Sequence, residues 1–259
     1  MSVEYALVDE VAVITLNRPQ VFNSIDQSLT DGLRVAFEQA STEARAAVLT
    51  GAGKAFCAGA DLSDLLDEYA HGGPDLHKTI TERFNPAVDA VLDAELPVVA
   101  AVNGAAAGAG MGLALACDVR VMAETAFFMS AFINVALVPD TGSAWFLPQM
   151  VGVSRAMEIA MSGRRVLAQE ALELGLTAEV VETDAVVATA VERAAAMTAG
   201  PRRAYVETRR IIHLGAAATL KDTIAREAQI QGELGARAAH REGMAAFVEK
   251  RQPNFRQAD

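Results

Sequence analysis

Residues 96–118 constrain the fold more than any other part of the chain, because they form an almost uncharged stretch that reads LPVVAAVNGAAAGAGMGLALACD. Val98–Val102 is a short apolar run typical of a strand buried on both faces, and Asn103-Gly104 is a turn dipeptide. The glycines that follow lead into a segment that can begin a helix. Where glycines separate a strand from a helix, unpaired backbone N–H groups lie at the positive end of the helix dipole. Such groups predict a site for an anion, or for an oxygen that becomes anionic during a reaction.

Three other interpretations of this stretch are open. A transmembrane helix is disfavoured, because the stretch consists of Ala and Gly rather than Leu and Ile, contains Asn-Gly and lacks flanking Lys or Arg. A dinucleotide-binding loop is disfavoured, because GAGMG does not match GxGxxG and lies far from the first strand. Tight packing of small residues without any ligand remains an alternative for the stretch taken by itself.

Composition narrows the class of protein. The chain has 259 residues, of which 52% are hydrophobic, so it can bury a large core. Its net charge of −11 argues against binding to nucleic acid or to an anionic membrane.

Its N-terminus has no secretory apolar region, and the two cysteines are isolated, so we expect a cytoplasmic protein with no metal site. The histidines at 71, 77, 213 and 240 form no ligand pattern, and we expect them to be solvated on the surface.

The charge is unevenly distributed along the chain. Residues 200–259 contain 11 Lys and Arg against 7 Asp and Glu, although the protein as a whole is acidic. A basic C-terminal region can bind the acidic body, a partner subunit or the phosphates of a small ligand.

The remaining sequence predicts short strands that alternate with helices through residues 1–195, followed by a helical C-terminal region at 196–259. We treat these as two regions, a core that carries the site and a C-terminal region for oligomerisation. Ser24 and Gln27 form a capping-box pattern before the first helix, and Pro74 is predicted to open another. Residues 127–139 are apolar and irregular. The other predicted elements are strands at 3–8, 11–16, 46–50, 118–122 and 180–181 and helices at 153–162 and 168–174.

A second glycine turn suggests a reaction. Residues 54–62, KAFCAGADL, again place small residues and a glycine before a segment that can become helical. Two such turns can direct two backbone N–H groups at one point, which is what an enolate formed from a thioester requires. A base is also needed, and Asp140, in a turn after an apolar segment, is a candidate. Asp140 could instead be only a turn residue or a helix cap.

Five segments together resemble the enoyl-CoA hydratase/isomerase, or crotonase, superfamily, and they span nearly the whole chain. The resemblance implies an α/β fold, a crotonase-like spiral of ββα units with a C-terminal helical trimerisation region. It implies a homotrimer or homohexamer and an acyl-CoA substrate, with no separate cofactor. The segments are LNRP at 16–19, KAFCAGAD at 54–61, PVVAAVNGAAAGAGMGLALACD at 97–118, VPDTG at 138–142 and EGMAAFVEKRQPNF at 242–255.

The resemblance also implies roles for individual residues. The thioester oxygen would lie between the backbone N–H groups of Ala60 and Ala109. Residues 58–62 would lie against the adenine and pantetheine, and Phe247 and Lys250 would reach the CoA of a neighbouring subunit. The implied substrate-binding residues are Ala58, Gly59, Asp61, Leu62, Gly108, Gly110, Phe132, Phe247 and Lys250.

The chain departs from the family pattern where a hydratase has its two glutamates. Those positions hold Gly112 and Phe132, which can neither activate water nor donate a proton. Asp140 matches a position used by some isomerases of the family and, as a nucleophile, by aryl-CoA dehalogenases. A dehalogenase would need histidine support, and no histidine lies between residues 78 and 212. We therefore expect an isomerase in which one carboxylate removes a proton and returns it elsewhere.

Other activities remain open at this point. One alternative is hydration or dehalogenation of an unusual acyl-CoA, and another is a catalytically silent protein that only binds acyl-CoA. An active enzyme would direct Asp140 towards the thioester, whereas a silent one would turn it away. The acyl group itself is not predicted, because residues 63–95 and 127–147 would line its end of the site.

Overall fold

A six-stranded and a four-stranded sheet form the framework of the computed structural model, which describes residues 1–61, 66, 69 and 71–258. Both sheets are built from strands scattered along the chain. The strands are β1 (Val3–Val8), β2 (Val11–Leu16), β3 (Ala46–Gly51), β4 (Ala55–Cys57), β5 (Val98–Val102), β6 (Ala105–Ala107), β7 (Val119–Ala123), β8 (Phe127–Met129), β9 (Arg165–Leu167) and β10 (Glu179–Val181).

The larger sheet has the order β1-β2-β3-β5-β7-β10. β1 and β2 form the predicted antiparallel hairpin, in which Val8 pairs with Val11. From β2 onward each neighbouring pair is parallel. β3 and β5 lie inside the sheet and all their residues are buried, as their continuous apolar runs predict.

The smaller sheet has the order β4-β6-β8-β9. Three times, a strand of the larger sheet is followed within a few residues by a short strand of the smaller one: β3 by β4, β5 by β6 and β7 by β8. Helices return the chain to the larger sheet after β4 and β6, whereas after β8 the chain passes through β9 of the smaller sheet before it reaches β10. The predicted spiral of strand–strand–helix units is therefore confirmed. The short strands themselves were not predicted, because three residues are too few to show an alternating pattern.

Helices cover the sheets and form the C-terminal region. α2 continues into α3 through a π-helical segment, Ile80–Phe84. The helices are α1 (Gln27–Glu43), α2 (Leu76–Thr79), α3 (Asn85–Leu92), α4 (Ala109–Ala116), α5 (Ser143–Val151), α6 (Val153–Ser162), α7 (Ala168–Glu173), α8 (Val186–Thr198), α9 (Arg202–Gly215), α10 (Leu220–Gly235) and α11 (Ala238–Glu249).

Some local expectations were wrong. α1 is capped by Asp26, whose carboxylate accepts a hydrogen bond from the backbone N–H of Leu29 at 2.8 Å. The Ser24 hydroxyl instead donates to a carbonyl of the preceding turn, so the predicted capping box does not form. α2 is capped by Asp75 rather than opened by Pro74.

Two further differences lie after residue 126. The segment at 127–139 contains β8 and a 3₁₀ helix, Ala131–Val135, so it is less irregular than expected. α5 was not predicted, because Pro148 interrupts its helical pattern.

The glycine-rich stretch lies in the middle of the core. All residues of β5 and α4 are buried. Among the described residues, no helix is both long and apolar enough to span a bilayer, and no three His, Cys, Asp or Glu side chains cluster as metal ligands would.

Arg209 anchors the first C-terminal helix, α9, to the body. Its side chain is only 4% exposed, and its guanidinium contacts the Asp118 carboxylate at 2.7 Å. It also donates to carbonyl oxygens near the end of α3, including Ala94 at 3.0 Å and Leu96 at 2.6 Å. Five donors in a fixed fork suit this arrangement. The division at residue 195 stays a prediction.

We expect Arg209→Leu to lower the free energy of unfolding by about 3–5 kcal/mol, because it leaves Asp118 and several carbonyls without their buried partner. Arg193→Leu is the control, since Arg193 pairs with Glu179 at the surface and such pairs contribute about 0–1 kcal/mol. Urea denaturation measures both. Equal losses in the two variants would contradict the anchoring role of Arg209.

Candidate active site

The first predicted donor is the backbone N–H of Ala60. It lies in a turn that two backbone hydrogen bonds join to Ile25. The Gly59 carbonyl accepts from the N–H of Ile25 at 2.7 Å, and the Asp61 N–H donates to the Ile25 carbonyl at 3.3 Å. Gly59 has φ +94°, a conformation that glycine adopts readily. In a trans peptide the C=O and the next N–H point in opposite directions. The Ala60 N–H therefore points away from Ile25 and is not used by this bridge.

The second predicted donor is the backbone N–H of Ala109. Its direction also follows from the planar, trans geometry of its peptide unit. Gly108 has φ 52° and precedes α4. Its carbonyl accepts from the N–H groups of Met111 at 3.0 Å and Gly112 at 3.3 Å, in the first turn of the helix. The Ala109 N–H, on the same peptide unit, therefore points outward from the helix N-terminus, where it has no intrahelical partner.

The two turns lie against each other. A Cβ atom placed on Gly59 would be 2.8 Å from the carbonyl oxygen of Ala107 and 3.3 Å from the nitrogen of Ala109. A Cβ atom on Gly110 would be 2.1 Å from the carbonyl oxygen of Cys57. Both positions require glycine because backbone approaches backbone there. The structure thus brings together the two turns that carry the predicted donors.

Asp140 lies in a tight turn that begins α5. Its carbonyl accepts from the N–H of Ser143 at 2.8 Å. Thr141 has φ 53°, which is rare for a β-branched residue and marks local strain. The Thr141 hydroxyl donates to a carboxylate oxygen of Asp140. Burial raises the pKa of Asp140 above its ordinary value, and the Thr141 hydroxyl partly opposes this shift by stabilising the charged form.

This turn packs on α4 at Gly112. A Cβ atom on Gly112 would be 2.3 Å from the carbonyl oxygen of Thr141 and 3.0 Å from the hydroxyl oxygen of Ser143. Gly112 lies in the first turn of the helix that begins at Ala109. The Asp140 turn therefore packs on the same helical turn that presents the Ala109 N–H. The space in which a side chain at position 112 would start is filled by backbone.

Phe132 is buried and lies next to Gly108, immediately before the start of α4. It lies in the 3₁₀ helix Ala131–Val135, and its ring is 3.9 Å from the point that a Cβ atom of Gly108 would occupy. An apolar ring thus lies beside the start of α4.

The remaining predicted substrate-binding residues lie in different settings. The Ala58 N–H donates to the carbonyl of Phe22 at 3.0 Å. The Asp61 carboxylate is buried against Arg18. Phe247 is 80% exposed, and Lys250 is exposed at the end of α11. The Leu62 prediction lies outside the described residues.

Sequence reasoning missed three residues beside the site. Thr141 contacts Asp140 and Arg18 contacts Asp61; both lie in the quoted segments VPDTG and LNRP, but neither was assigned a role. His213 is half-buried, in edge-to-face contact with Trp145, so the expectation that it is a solvated surface residue was wrong. Burial lowers the pKa of His213. With Thr141, it lines a 420 Å³ cavity behind the Asp140 turn.

Known proteins resemble this chain along almost its entire length. The sequence profile of the enoyl-CoA hydratase/isomerase family matches residues 8–258. A protein from Rhodobacter capsulatus named "Probable enoyl-CoA hydratase" is 43% identical over 98% of this chain and 97% of its own. The 1,2-epoxyphenylacetyl-CoA isomerase of Escherichia coli is 36% identical over 95% and 94%. The crystal structure of enoyl-CoA hydratase from Bacillus anthracis matches with a TM-score of 0.89 at 32% identity, over 98% of this chain and 100% of that chain.

We expect Gly112→Ala to destabilise the protein, because the new methyl group meets the Thr141 carbonyl and overpacking costs about 1–3 kcal/mol. The fluorescence of Trp145, the one tryptophan of the sequence, should change as the neighbouring turn shifts. The control is Gly232→Ala, since Gly232 lies in α10 with no atom within 4 Å of the point that its Cβ atom would occupy. There, alanine should add up to about 1 kcal/mol to the free energy of unfolding. Equal stability of the two variants would contradict the close contact at Gly112.

Proposed function

The chain belongs to the enoyl-CoA hydratase/isomerase family of acyl-CoA-processing enzymes, and we propose that within this family it is an isomerase. The proposed reaction moves a carbon–carbon double bond in an enoyl-CoA. The backbone N–H groups of Ala60 and Ala109 would hold the thioester oxygen, and Asp140 would be the acid and base. The thioester is the substrate, so the proposed reaction needs no separate cofactor and no metal. We also propose that the enzyme acts in the cytoplasm.

The observation that carries this proposal is the contact between Gly112 and the Asp140 turn. A glutamate at position 112 would begin where the Thr141 carbonyl lies, 2.3 Å from its Cβ atom. The turn that carries Asp140 and a glutamate at 112 are therefore incompatible in this conformation. Phe132 fills the other glutamate position, so among the described residues Asp140 is the carboxylate that we assign to this helix start.

The proposed reaction follows from these positions. The Asp140 carboxylate takes a proton from the α-carbon of a 3-enoyl-CoA, and the electron pair moves into the thioester to give a dienolate. The negative oxygen accepts hydrogen bonds from Ala60 and Ala109, which stabilise it relative to the neutral thioester. The protonated Asp140 then returns the proton to the γ-carbon, and a 2-enoyl-CoA results. One carboxyl group suffices, because no proton is gained or lost overall.

The environment of Asp140 supports its proposed role as a base. Half-burial raises its pKa, so its carboxylate is a stronger base than an exposed aspartate. The Thr141 hydroxyl holds one of its oxygens, which leaves the other to meet the substrate.

Hydration is the second candidate, because the Rhodobacter capsulatus relative carries a hydratase name. It would require a group that holds and activates water. The glycine and phenylalanine at positions 112 and 132 offer none. The Escherichia coli relative is named for an isomerase whose acyl group contains a phenyl-derived ring, so ring-bearing acyl groups belong in any test of substrates.

We further propose that the protein assembles as a homotrimer or homohexamer. The outer faces of α10 and α11 carry exposed apolar side chains, which a second copy of the chain would cover. Phe247 and Lys250 would then reach the CoA of the neighbouring subunit. The exposed residues on these two helices are Leu220, Ile224, Met244, Phe247 and Val248.

Asp140→Asn tests the proposed base. The change keeps the size of the side chain but removes its proton acceptor, so isomerisation of a 3-enoyl-CoA should fall by a factor of about 100 or more. Acyl-CoA binding should survive. Hydration of a 2-enoyl-CoA should already be slow in the unmodified protein. Both reactions are assayed on both proteins, with linear and ring-bearing acyl groups. Rapid hydration that Asp140→Asn leaves unchanged would contradict the proposal.

The pH profile tests the protonation state of Asp140. Activity should fall as the pH drops through the raised pKa, since the base must be ionised. Thr141→Val removes the hydroxyl that stabilises the carboxylate, so the acid limb of kcat/KM should move up by about 0.5–1 pH unit. Thr141→Ser keeps the hydroxyl and is the matched control. An acid limb that is the same in all three proteins would argue that another group titrates.

Light scattering tests the proposed assembly. At micromolar concentration we expect a mass three or six times the 27.3 kDa of one chain. A mass of 27.3 kDa would contradict the assembly and, with it, the cross-subunit role of Lys250.

A further inference from the structure

The Arg18 side chain contacts two carboxylates and one backbone carbonyl around the turn that carries Ala60. One guanidinium nitrogen lies 3.1 Å from the Asp26 carboxylate and 2.9 Å from the Asp61 carboxylate. The other terminal guanidinium nitrogen donates to the Ser24 carbonyl at 2.6 Å. The Arg18 side chain is 14% exposed and that of Asp61 is 5% exposed. These residues form a partly buried charged cluster rather than a surface ion pair. Removal of one of the charges should therefore destabilise the positions of the others.

The three contacts enclose the bridge that directs Ala60. Ser24 and Asp26 flank Ile25 on one segment, and Asp61 follows Ala60 on the other. Ile25 holds the carbonyl of the peptide unit whose N–H is the proposed donor. A guanidinium that holds both flanks of the bridge therefore holds that peptide plane in one orientation.

The segment around Arg18 is itself fixed to the core. The Asn23 side chain is fully buried, with φ 57° at its backbone. Its oxygen accepts from the N–H of Arg18 at 2.9 Å, and its amide donates to the carbonyls of Ala52 at 2.9 Å and Ala55 at 2.8 Å. Arg18 thus transmits the position of a rigid loop to the turn, rather than moving with it.

We propose that Arg18 is a positioning residue that sets the direction of the Ala60 N–H by joining Asp61 to Asp26 and the Ser24 carbonyl. This inference rests on the proposed function, because it takes Ala60 as a donor to the thioester oxygen. Without Arg18, the two ion pairs and the hydrogen bond that join these segments are lost, and the peptide unit of Ala60 is held less firmly. Lysine replaces the guanidinium poorly, because one ammonium cannot supply a planar fork.

The test measures the hydrogen bonding of the thioester directly. A 2-enoyl-CoA labelled with ¹³C at its carbonyl is bound to the protein, and the C=O stretch is read by infrared difference spectroscopy. In the unmodified protein the band should lie at a lower frequency than in free substrate. Arg18→Gln should lose about half of this shift, as expected when one of two donors is misdirected. The kcat for isomerisation should fall about tenfold or more, with KM changed less than about threefold.

Two controls separate positioning from folding. Arg34→Gln breaks an exposed pair with Glu38 on α1 and should keep the full shift and kcat. Arg18→Lys keeps the charge and should give an intermediate shift, and it decides the matter if Arg18→Gln does not fold. Ala109→Pro lacks the other donor at a position where helices accept proline, so it calibrates the loss of one hydrogen bond.

The outcomes are distinguishable. A full carbonyl shift in both Arg18 variants, with only their thermal stability lowered, would overturn the positioning role and leave the proposed function intact. No shift in the unmodified protein, or no binding of the labelled acyl-CoA, would overturn the proposed function and this inference together.

Discussion

The site depends on two carbonyl groups whose hydrogen bonds aim the N–H groups on the same peptide units. The Gly59 carbonyl is held by Ile25, and the Gly108 carbonyl is held by the first turn of α4. Each peptide unit is planar and trans. A hydrogen bond that holds its carbonyl therefore also fixes the direction in which its N–H group points. The N–H groups of Ala60 and Ala109 are thus oriented before any ligand binds, which would lower the reorganisation needed in the proposed reaction. The small residues around them let the two turns approach.

The turn that carries Asp140 is the basis for our proposal that this chain is an isomerase. Thr141 adopts a strained conformation and places its carbonyl against Gly112. The strain is tolerated because the turn is packed between α4 and α5. The glycine at position 112 makes room for the turn that carries Asp140. In the proposed reaction, the carboxylate that acts at this helix start belongs to the turn and not to the helix.

Local chemistry made part of this predictable from sequence. The buried strand β5, the glycine turns and the turn at Asp140 each follow from residues adjacent in the chain, and the resemblance assigned their roles. The close contact of Gly112 with Thr141 and the ion pair of Arg18 with Asp61 join residues far apart in the chain. No spacing in a single sequence reveals such contacts. The short strands of the smaller sheet were missed because tertiary pairing, not local pattern, makes them strands.

A crystal structure with a bound, unreactive enoyl-CoA analogue would show the geometry of the proposed reaction. We expect the thioester oxygen to lie about 2.7–3.1 Å from the nitrogens of both Ala60 and Ala109. We also expect a carboxylate oxygen of Asp140 to lie within about 3.5 Å of both the α- and the γ-carbon. An Asp140 carboxylate turned away from the acyl chain, or a thioester oxygen bound elsewhere, would contradict the proposed reaction.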